Sequence, residues 1–359
     1  MNNIIDLEYV NEAEKNLVNI FMTDTTVKKY ILGINKLTKS VLKHIEVDGI
    51  IDDFTRVQSS RKKEILKIED VPKDSIILWV SNGSPLEVKN KLDQLEYTNI
   101  SYLAFYKYSN LDLVAPPFIE DFKEDFKNNR ELYQKTYALL SDQKSQEIFS
   151  KIINFKISYD FDFMQGFTNN HEEQYFDIGL ISNIDDIVFV DGGAYVGDTL
   201  PQIIQKFPNY KKIYCIEPNE LHINIAKRNF ATQRDIEFIH CGLGKNKIQI
   251  KENSNKIHHG EHDYQANNIN SLDNLLDEKV DFIKLDIEGA EQDAIEGAQN
   301  IISKYTPILA ICIYHKAEDW YKVPQKVLAI NSNYTLYLRH YMEGIYETVL
   351  YFIPKKKYS

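Results

Sequence analysis

The segment from Val188 to Glu220 constrains the fold of this chain more than any other. It reads VFVDGGAYVGDTLPQIIQKFPNYKKIYCIEPNE. An apolar run ends at Asp191, Gly192 and Gly193 follow, and a helix-length segment leads to a second apolar run that ends at Glu217. Glycines at the first turn let a ligand approach the backbone, because a Cβ there would block both the turn and the approach. The segment therefore predicts a nucleotide-binding strand, helix and strand.

The acidic residues of this segment indicate which ligand the turn holds. Glu217 follows Gly193 by 24 positions, at the tip of the second strand, where a carboxylate accepts hydrogen bonds from ribose hydroxyls. A carboxylate at Asp191 would repel the pyrophosphate of a nicotinamide cofactor. S-adenosylmethionine (SAM) carries no phosphate, and its ammonium and sulfonium groups suit an acidic neighbour. We therefore predict SAM, with a nicotinamide-dependent oxidoreductase as the alternative.

Composition limits the partners and the location of the protein. The chain has 359 residues and a net charge of −11, which disfavours nucleic acid as a partner. The basic run Lys355–Lys357 is interpreted as a solvated tail. No apolar run is long enough to span a membrane, and the N-terminus lacks the features of a secretory signal, so we expect a cytoplasmic protein. The three cysteines, Cys215, Cys241 and Cys312, lie in predicted core strands and are expected to be reduced and buried.

Residues 1–112 are predicted to form a small α/β unit with a parallel sheet. Strands are predicted at Lys29–Asn35, Val47–Asp53 and Ser75–Asn82, and helices at Thr38–Ile45 and Ser84–Leu95, the latter with Ser84 as N-cap. Gly33 and Asp52 stand where a nucleotide-binding turn and its acid would stand, but further glycines are missing. The unit resembles the Rossmann-like modules of some sugar-modifying enzymes, which implies a possible nucleotide-sugar site. A domain that only scaffolds or dimerises is the alternative.

Residues 113–157 are predicted to form a helical linker. Pro116 and Pro117 mark its start, and two helices are expected, from Phe118 onward and over Ser145–Asn154. They are expected to pack over one edge of the C-terminal sheet. An aromatic stripe on the first helix is interpreted as core packing. The stripe consists of Phe118, Phe122, Phe126, Tyr133 and Tyr137.

Residues 158–359 read as alternating strands and helices followed by a final pair of strands, LYLRHY and ETVLYFIP, which is predicted to be an antiparallel hairpin. Ligands of open parallel sheets bind at the carboxyl ends of the strands. The polar residues expected at those ends are Asp191, Glu217, Asp286, Glu288 and His315.

Six motifs of this region, in the same order and at comparable spacing, resemble the FkbM-type family of SAM-dependent methyltransferases. They are FVDGGAYVGDT, IEPNE, INSLDNLL, IKLDIEGAE, LAICIYHK and YTLYLRHY. The resemblance covers roughly residues 145–355 and leaves the N-terminal 110 residues outside. It implies a Rossmann-like, doubly wound class I methyltransferase fold with a terminal hairpin. It also implies O-methylation of sugars or hydroxylated natural products, often in polysaccharide or glycan pathways.

The resemblance also implies roles for residues of the cofactor site. Asp191, Gly192 and Gly193 would line the methionine part of SAM, with Asp198 and Thr199 at the start of the next helix.

Two further groups border the rest of the cofactor. Glu217 would hold the ribose, Pro218 and Asn219 would border the adenine, and Gln174 and Tyr175 would form a polar gate. Weaker candidates, which equally fit a polar loop and a helix cap, are Asn268 and Ser271.

Methyl transfer to a hydroxyl requires help in removing its proton. His315, Asp286 and Glu288 are the candidate catalytic residues, with His315 preferred as the base because an unperturbed histidine has a pKa of ~6.5. A structural histidine is the alternative. The same three residues could instead hold Mg²⁺ or Mn²⁺. The cluster His258–Asp263 lacks the spacing of a zinc site and is interpreted as an acceptor-binding or solvated loop.

We therefore expect a SAM-dependent O-methyltransferase that acts on a hydroxyl of a sugar, nucleotide sugar or glycan precursor. A scaffold protein that binds nucleotide sugar and SAM without catalysis remains as a further alternative.

Overall fold

The computed structural model describes residues 4–53, 59–60, 63–177, 179–249, 257–259, 262–264 and 268–355. Within them the chain is a mixed α/β protein. It contains one sheet of six strands, one of seven, and two small sheets of three and two strands. No helix within these ranges is long and apolar enough to cross a membrane.

The N-terminal unit is built on the six-stranded sheet, whose order is β3-β4-β2-β1-β5-β6. All neighbours pair in parallel except β3 and β4. Strand β5, which lies between β1 and β6, is buried at every position, as its continuous apolar run predicts. The elements are α1 (Glu12–Thr23), β1 (Lys29–Leu32), α2 (Lys36–Val41), β2 (Gly49–Ile51), β3 (Ser59–Ser60), β4 (Lys63–Leu66), β5 (Ile76–Trp79), α3 (Pro85–Gln94), β6 (Thr98–Ser101) and α4 (Tyr102–Ser109).

The strands and helices expected in this unit are present, with shorter bounds. β1 ends at Leu32 because Asn35 already caps α2, accepting hydrogen bonds from the backbone N–H groups of Leu37 (2.8 Å) and Thr38 (3.2 Å). Ser84 stands at the N-cap position of α3, but its side chain does not cap the helix.

Two helices follow, α5 (Phe122–Leu139) and α6 (Gln143–Ser158). Phe122, Phe126 and Tyr133 are fully buried, so the aromatic stripe is core packing as expected. Phe118 was expected on the same helix, but it lies before the start of α5 and has a left-handed φ of 60°. The Ser145 hydroxyl at the start of α6 accepts a hydrogen bond from the Leu338 N–H (2.9 Å), which fixes α6 to the edge of the C-terminal sheet.

The C-terminal unit is built on the seven-stranded sheet, whose order is β17-β18-β16-β15-β7-β8-β9. The last two strands form the predicted antiparallel hairpin, and the others pair in parallel apart from the β16 and β18 contact. The strands are β7 (Val188–Gly192), β8 (Lys212–Glu217), β9 (Ile236–His240), β10 (Gly242–Leu243), β11 (Ile248–Gln249), β12 (Ile257–His259), β13 (His262–Tyr264), β14 (Asn268–Asn270), β15 (Phe282–Leu285), β16 (Ile308–Cys312), β17 (Tyr334–His340) and β18 (Thr348–Pro354). The helices are α7 (Leu200–Lys206), α8 (Glu220–Asn229), α9 (Leu272–Leu275), α10 (Glu291–Glu296), α11 (Gln299–Tyr305) and α12 (Asp319–Ile330).

The two units share an apolar core. Trp79 of β5 packs against Phe161 with ring centroids 5.1 Å apart, and both belong to the buried cluster that continues under the large sheet. Polar contacts reinforce the junction, because the Asn169 amide donates to the Gly83 carbonyl and the Ser84 hydroxyl, both at 2.9 Å.

The crevice of the N-terminal sheet is already filled by the C-terminal unit. Glu343 accepts a hydrogen bond from the Glu87 N–H (3.0 Å) in the first turn of α3, where a ligand phosphate would otherwise bind. A cavity of only about 30 Å³ remains beside it, and Ile345 and Tyr346 line its wall. A nucleotide sugar does not fit this space, since drug-sized ligands occupy roughly 300–1,000 Å³. Neither Gly33 nor Asp52 is among the described residues that line this cavity.

Candidate active site

A cavity of about 560 Å³ opens at the carboxyl ends of β7, β8, β15 and β16. It is the place at which an open parallel sheet binds ligands. Its volume falls in the range typical of cofactor sites. The predicted site residues that line it are Gln174, Tyr175, Gly193, Asp198, Thr199, Glu217, Pro218, Asp286 and Glu288.

Gly193 brings the two central loops of this cavity together. Its φ is +81°, and a Cβ at this position would lie 1.9 Å from the Asp286 carbonyl oxygen. Only glycine fits such a position, because any side chain would force the two backbones apart. The glycine turn after β7 thus fixes the loop after β15 that carries Asp286.

Glu217 lies at the tip of β8 with both carboxylate oxygens in defined positions. They accept hydrogen bonds from the backbone N–H groups of Tyr195 (3.0 Å) and Asn219 (2.9 Å). Burial raises the pKa of Glu217 even though these bonds favour the charged form. Asn219 is turned away from the cavity lining, and its side chain caps α8 by accepting from the Leu221 and His222 N–H groups.

Asp191 occupies a different position from the one that the sequence indicates. Its side chain is fully buried and does not line the cavity. It forms an ion pair with Lys284 of β15, whose Nζ lies 2.9 Å from Asp191 Oδ1. The Lys284 ammonium also donates to the Gly193 carbonyl (3.1 Å) and lines the cavity. A lysine therefore stands between Asp191 and any ligand.

Asp286 is the centre of a hydrogen-bond network at the other end of the cavity. The Tyr175 hydroxyl donates to its Oδ2 (2.8 Å) and the Tyr314 hydroxyl donates to its Oδ1 (3.1 Å). Burial opposes ionisation, but nearby His315 and Lys284 and the two phenols hold the pKa of Asp286 below its usual value. Asp286 is thus ionised at neutral pH.

The gate predicted at Gln174 and Tyr175 lies against this network. Tyr175 is buried with a left-handed φ of 70°, and its hydroxyl accepts a hydrogen bond from the Gln174 amide (2.9 Å). The same amide donates to the carboxyl of Glu347, which follows the hairpin turn between β17 and β18. The two gate residues therefore join the cavity floor to the last strand of the sheet.

His315 is buried behind Asp286 and is surrounded by carboxylates. Its Nδ1 lies 3.0 Å from Glu291 Oε1, and its Nε2 lies 3.4 Å from Asp286 Oδ1. Burial alone would lower the pKa of His315, but Glu291, Asp286 and Glu288 outweigh it and raise the pKa to about 9. The imidazole is thus charged at neutral pH. The reason for preferring it as a base, an unperturbed pKa of ~6.5, is therefore wrong.

The stability of the protein is expected to fall at alkaline pH through His315. Because its folded pKa of about 9 exceeds the unfolded value of 6.5, its contribution is complete below pH 6.5 and is lost as the pH rises through 9. The largest effect is about 3 kcal/mol. Thermal unfolding from pH 6 to 10 measures this loss, and His315→Gln should show a shallower decline. Parallel curves for the two proteins would contradict the assignment.

The cluster does not fit a resident Mg²⁺ or Mn²⁺. A histidine ligand needs a free lone pair, whereas Nδ1 and Nε2 of His315 both face carboxylate oxygens. Asp286 in turn receives its hydrogen bonds from two phenols, which a cation would displace. The metal hypothesis for Asp286, Glu288 and His315 is therefore not retained.

Some predicted residues lie away from the cavity. Gly192, Asn268, Ser271 and His315 are not among the described residues that line it, although Ile269 beside Asn268 is. Ser271 is buried at the start of α9 without a side-chain cap bond. The side chains of the His258–Asp263 cluster and the end of the Lys355–Lys357 run lie outside the described residues. Cys215, Cys241 and Cys312 are buried free thiols, as expected.

The cavity residues that the sequence analysis did not single out include Lys284, Tyr314 and Glu347. Lys284 had a signal, because a lysine inside the otherwise apolar strand FIKLD must find a buried partner. Tyr314 lies two residues after the end of β16 and immediately precedes His315, so it could have been included with that candidate. Glu347 lies in a turn far along the chain, and nothing local distinguishes it.

The comparisons with known proteins concern the family and the fold. The family model described as "Methyltransferase FkbM domain" matches residues 191–343. Methyltransferase FkbM from Methylobacillus flagellatus KT is similar in structure, with a TM-score of 0.72 and 20% sequence identity over 97% of this chain and 100% of that chain. At this identity the likeness concerns the fold, and it includes the N-terminal unit. The match of the family model falls within the expected likeness, roughly residues 145–355.

Two other solved structures match about half of this chain. A putative rRNA methylase from Clostridium thermocellum has a TM-score of 0.36 and 9% identity, over 53% of this chain and 98% of that chain. A putative methyltransferase from Streptococcus mutans in complex with SAH has a TM-score of 0.35 and 11% identity, over 51% and 96%. The chain matches no curated protein. The family match favours a methyltransferase over an oxidoreductase or a scaffold, and residues 191–343 of this chain match the FkbM methyltransferase domain.

Proposed function

We propose that the protein transfers the methyl group of SAM to a hydroxyl of a sugar or sugar-containing precursor. The observation that carries the proposal is the position of Asp286, an ionised carboxylate held by two phenols in the wall of a cofactor-sized cavity. A carboxylate in such a place can bind and orient a hydroxyl for attack.

The opposite end of the cavity suits the adenosine part of SAM. Glu217 lies at the tip of β8, where its carboxylate can also receive the ribose hydroxyls, and Pro218 and Leu243 offer an apolar border for the adenine. Asp198 and Thr199 line the start of α7. SAM supplies an electrophilic methyl group, and the protein has only to position the acceptor and handle its proton.

The acceptor end is rich in carboxyl groups, which supports a polyhydroxylated acceptor. Asp286, Glu288 and Glu347 line this end, and the nearest cation in the lining, Lys284, is already paired with Asp191. Carboxylates accept hydrogen bonds from sugar hydroxyls but repel phosphates. We therefore favour an uncharged sugar or glycan over a nucleotide sugar. His315 keeps Asp286 ionised in this scheme.

The filled crevice of the N-terminal unit supports the scaffolding alternative for that unit. The start of α3 forms hydrogen bonds with Asn169 and Glu343 of the C-terminal unit, and Glu343 belongs to the turn between β17 and β18.

Glu217→Ala is expected to weaken SAM binding by about tenfold to a hundredfold, because two charge-assisted hydrogen bonds to the ribose are lost. Titration calorimetry with SAM and S-adenosylhomocysteine (SAH) measures the change, with NADH as the comparison ligand. Glu220→Ala, an exposed acid in the first turn of α8, is the control and should bind as the wild type does. Unchanged affinity in Glu217→Ala would mean that the ribose lies elsewhere.

The acceptor class is tested by transfer of a tritiated methyl group from SAM to a panel of methyl glycosides, glucose 6-phosphate and UDP-glucose. We expect methylation of neutral glycosides in preference to the phosphorylated compounds. SAM binding without transfer to any sugar would overturn the proposed acceptor and leave the cofactor site standing.

A further inference from the structure

The hairpin turn between β17 and β18 links the N-terminal unit to the cavity. Glu343, at one side of the turn, accepts the hydrogen bond from the first turn of α3. Glu347, at the other side, lines the cavity with a left-handed φ of 63°. A glutamate in this conformation is strained, and strained residues persist where the surrounding structure holds them. The anchored turn thus holds one carboxyl group in the cavity wall.

Glu347 forms a carboxyl pair with Asp286. An oxygen of each carboxyl and the Cys312 sulfur all lie within 4.8 Å of one another. Two half-buried carboxylates this close disfavour each other's ionisation. The pair therefore favours the state that holds one proton.

The hydrogen-bond donors decide which member of the pair holds that proton. Asp286 receives the Tyr175 and Tyr314 hydroxyls and lies 3.4 Å from the charged His315. Glu347 receives the Gln174 amide, the single donor to its side chain among the described residues. The better-solvated charge is at Asp286, so Glu347 keeps the proton.

The groups that face Glu347 from the neighbouring elements agree with this assignment. Burial and the Asp286 charge raise the pKa of Glu347 to about 8, while His315, Gln174 and Lys284 lower it by less. Tyr175, Tyr314 and Cys312 are neutral neighbours, since burial raises the pKa of each above its usual value.

We propose that Glu347 is the general base for the acceptor hydroxyl, and that it releases its own proton only when the sulfonium of SAM enters the cavity. The inference rests on the proposed function, and none of the sequence motifs includes Glu347. A positive charge about 6 Å from a carboxyl lowers its pKa by about two units at an effective dielectric constant of about 20. Binding of SAM with its sulfonium at such a distance would therefore convert Glu347 from an acid to a carboxylate.

The cycle balances protons and electrons. Glu347 loses its proton to solvent when SAM binds. The acceptor oxygen then forms a bond to the methyl carbon while its proton passes to Glu347, and the electron pair of the broken C–S bond stays on sulfur. The products are the methyl ether, neutral SAH and a protonated Glu347. This is the resting protonation state, because SAH carries no sulfonium.

Calorimetry in buffers of different ionisation enthalpy tests the proposal without an acceptor. SAM and SAH share the same amine, carboxylate and adenosine, so the difference between their proton counts reports the sulfonium. At pH 7.5 we expect SAM to release about 0.7 proton more than SAH in the wild-type protein. Glu347→Gln should abolish this difference. Glu173→Gln, a half-buried acid beside Gln174 and outside the cavity lining, is the matched control and should retain it.

The outcomes separate this proposal from the proposed function. Absence of SAM and SAH binding would overturn the proposed function. Equal proton release for the two ligands in the wild type, or an unchanged difference in Glu347→Gln, would overturn the role of Glu347 alone. If Glu347→Gln does not fold, the pH dependence in the wild type tests the proposal: the difference must be largest near pH 7 and vanish below about pH 5. A difference that is constant with pH would exclude a carboxyl of this kind.

Discussion

Lys284→Met is expected to lose about 3–5 kcal/mol of unfolding free energy, because it leaves a buried carboxylate without its partner. The Lys284 side chain is 2% exposed and the Asp191 side chain is 0% exposed, with 2.9 Å between their charged atoms. Methionine fills most of the volume of the lysine, so the effect reports the charge rather than a cavity. The loss of the bond to the Gly193 carbonyl should also disturb the turn beside the cofactor.

Chemical denaturation of the wild type and the variant measures this effect. The control is Lys279→Met, since Lys279 also pairs with an aspartate, Asp281, but is 66% exposed. That variant should change by less than about 1 kcal/mol. Adding Asp191→Asn to Lys284→Met should recover part of the lost stability, because it removes the unpaired charge. If the Lys284 and Lys279 variants lose equally little, the buried pair does not stabilise the fold.

Asp286→Asn is expected to lower turnover by about 10²- to 10³-fold while SAM binding is retained. An amide cannot carry the negative charge that Tyr175, Tyr314 and His315 are arranged to hold. It also removes the negative member of the carboxyl pair, so the pKa of Glu347 should fall in this variant.

Methyl transfer to the acceptor found in the glycoside panel measures the turnover, and calorimetry measures SAM affinity separately. Asp293→Asn is the matched control, because Asp293 is exposed on α10 and does not line the cavity. Full activity in Asp286→Asn would show that the acceptor binds at another part of the cavity. A loss of SAM affinity with unchanged turnover at saturation would assign Asp286 to the cofactor instead.

Local sequence patterns predicted most of the C-terminal fold. Apolar runs that end in acids placed Glu217 and Asp286 at the same sheet edge, since parallel strands carry their carboxyl ends together. Gly193 predicted that a ligand could approach the backbone closely. In the structure the backbone of Asp286 also approaches Gly193 closely. The pattern could identify the turn without identifying every atom that meets it.

Electrostatic roles were predicted less well, because they depend on neighbours distant in the sequence. Asp191 was assigned to the cofactor from its position at the end of a strand. Its carboxylate instead forms an ion pair with Lys284, 93 residues later in the chain. His315 was expected to titrate near neutral pH, but Glu291, Asp286 and Glu288 raise its pKa to about 9. Burial strengthens such interactions, and the sequence does not list which charges meet.

The sequence by itself determined the α/β class, the glycine turn, the acids at the strand tips and the closing hairpin, because these follow from local periodicity and backbone geometry. Only the tertiary structure decided that Glu343 fills the N-terminal crevice and that Glu347 pairs with Asp286. Both contacts join residues far apart in the chain, through a turn whose local sequence carries no special pattern. Packing alone brings those side chains together, and their proximity then decides which of them hold protons.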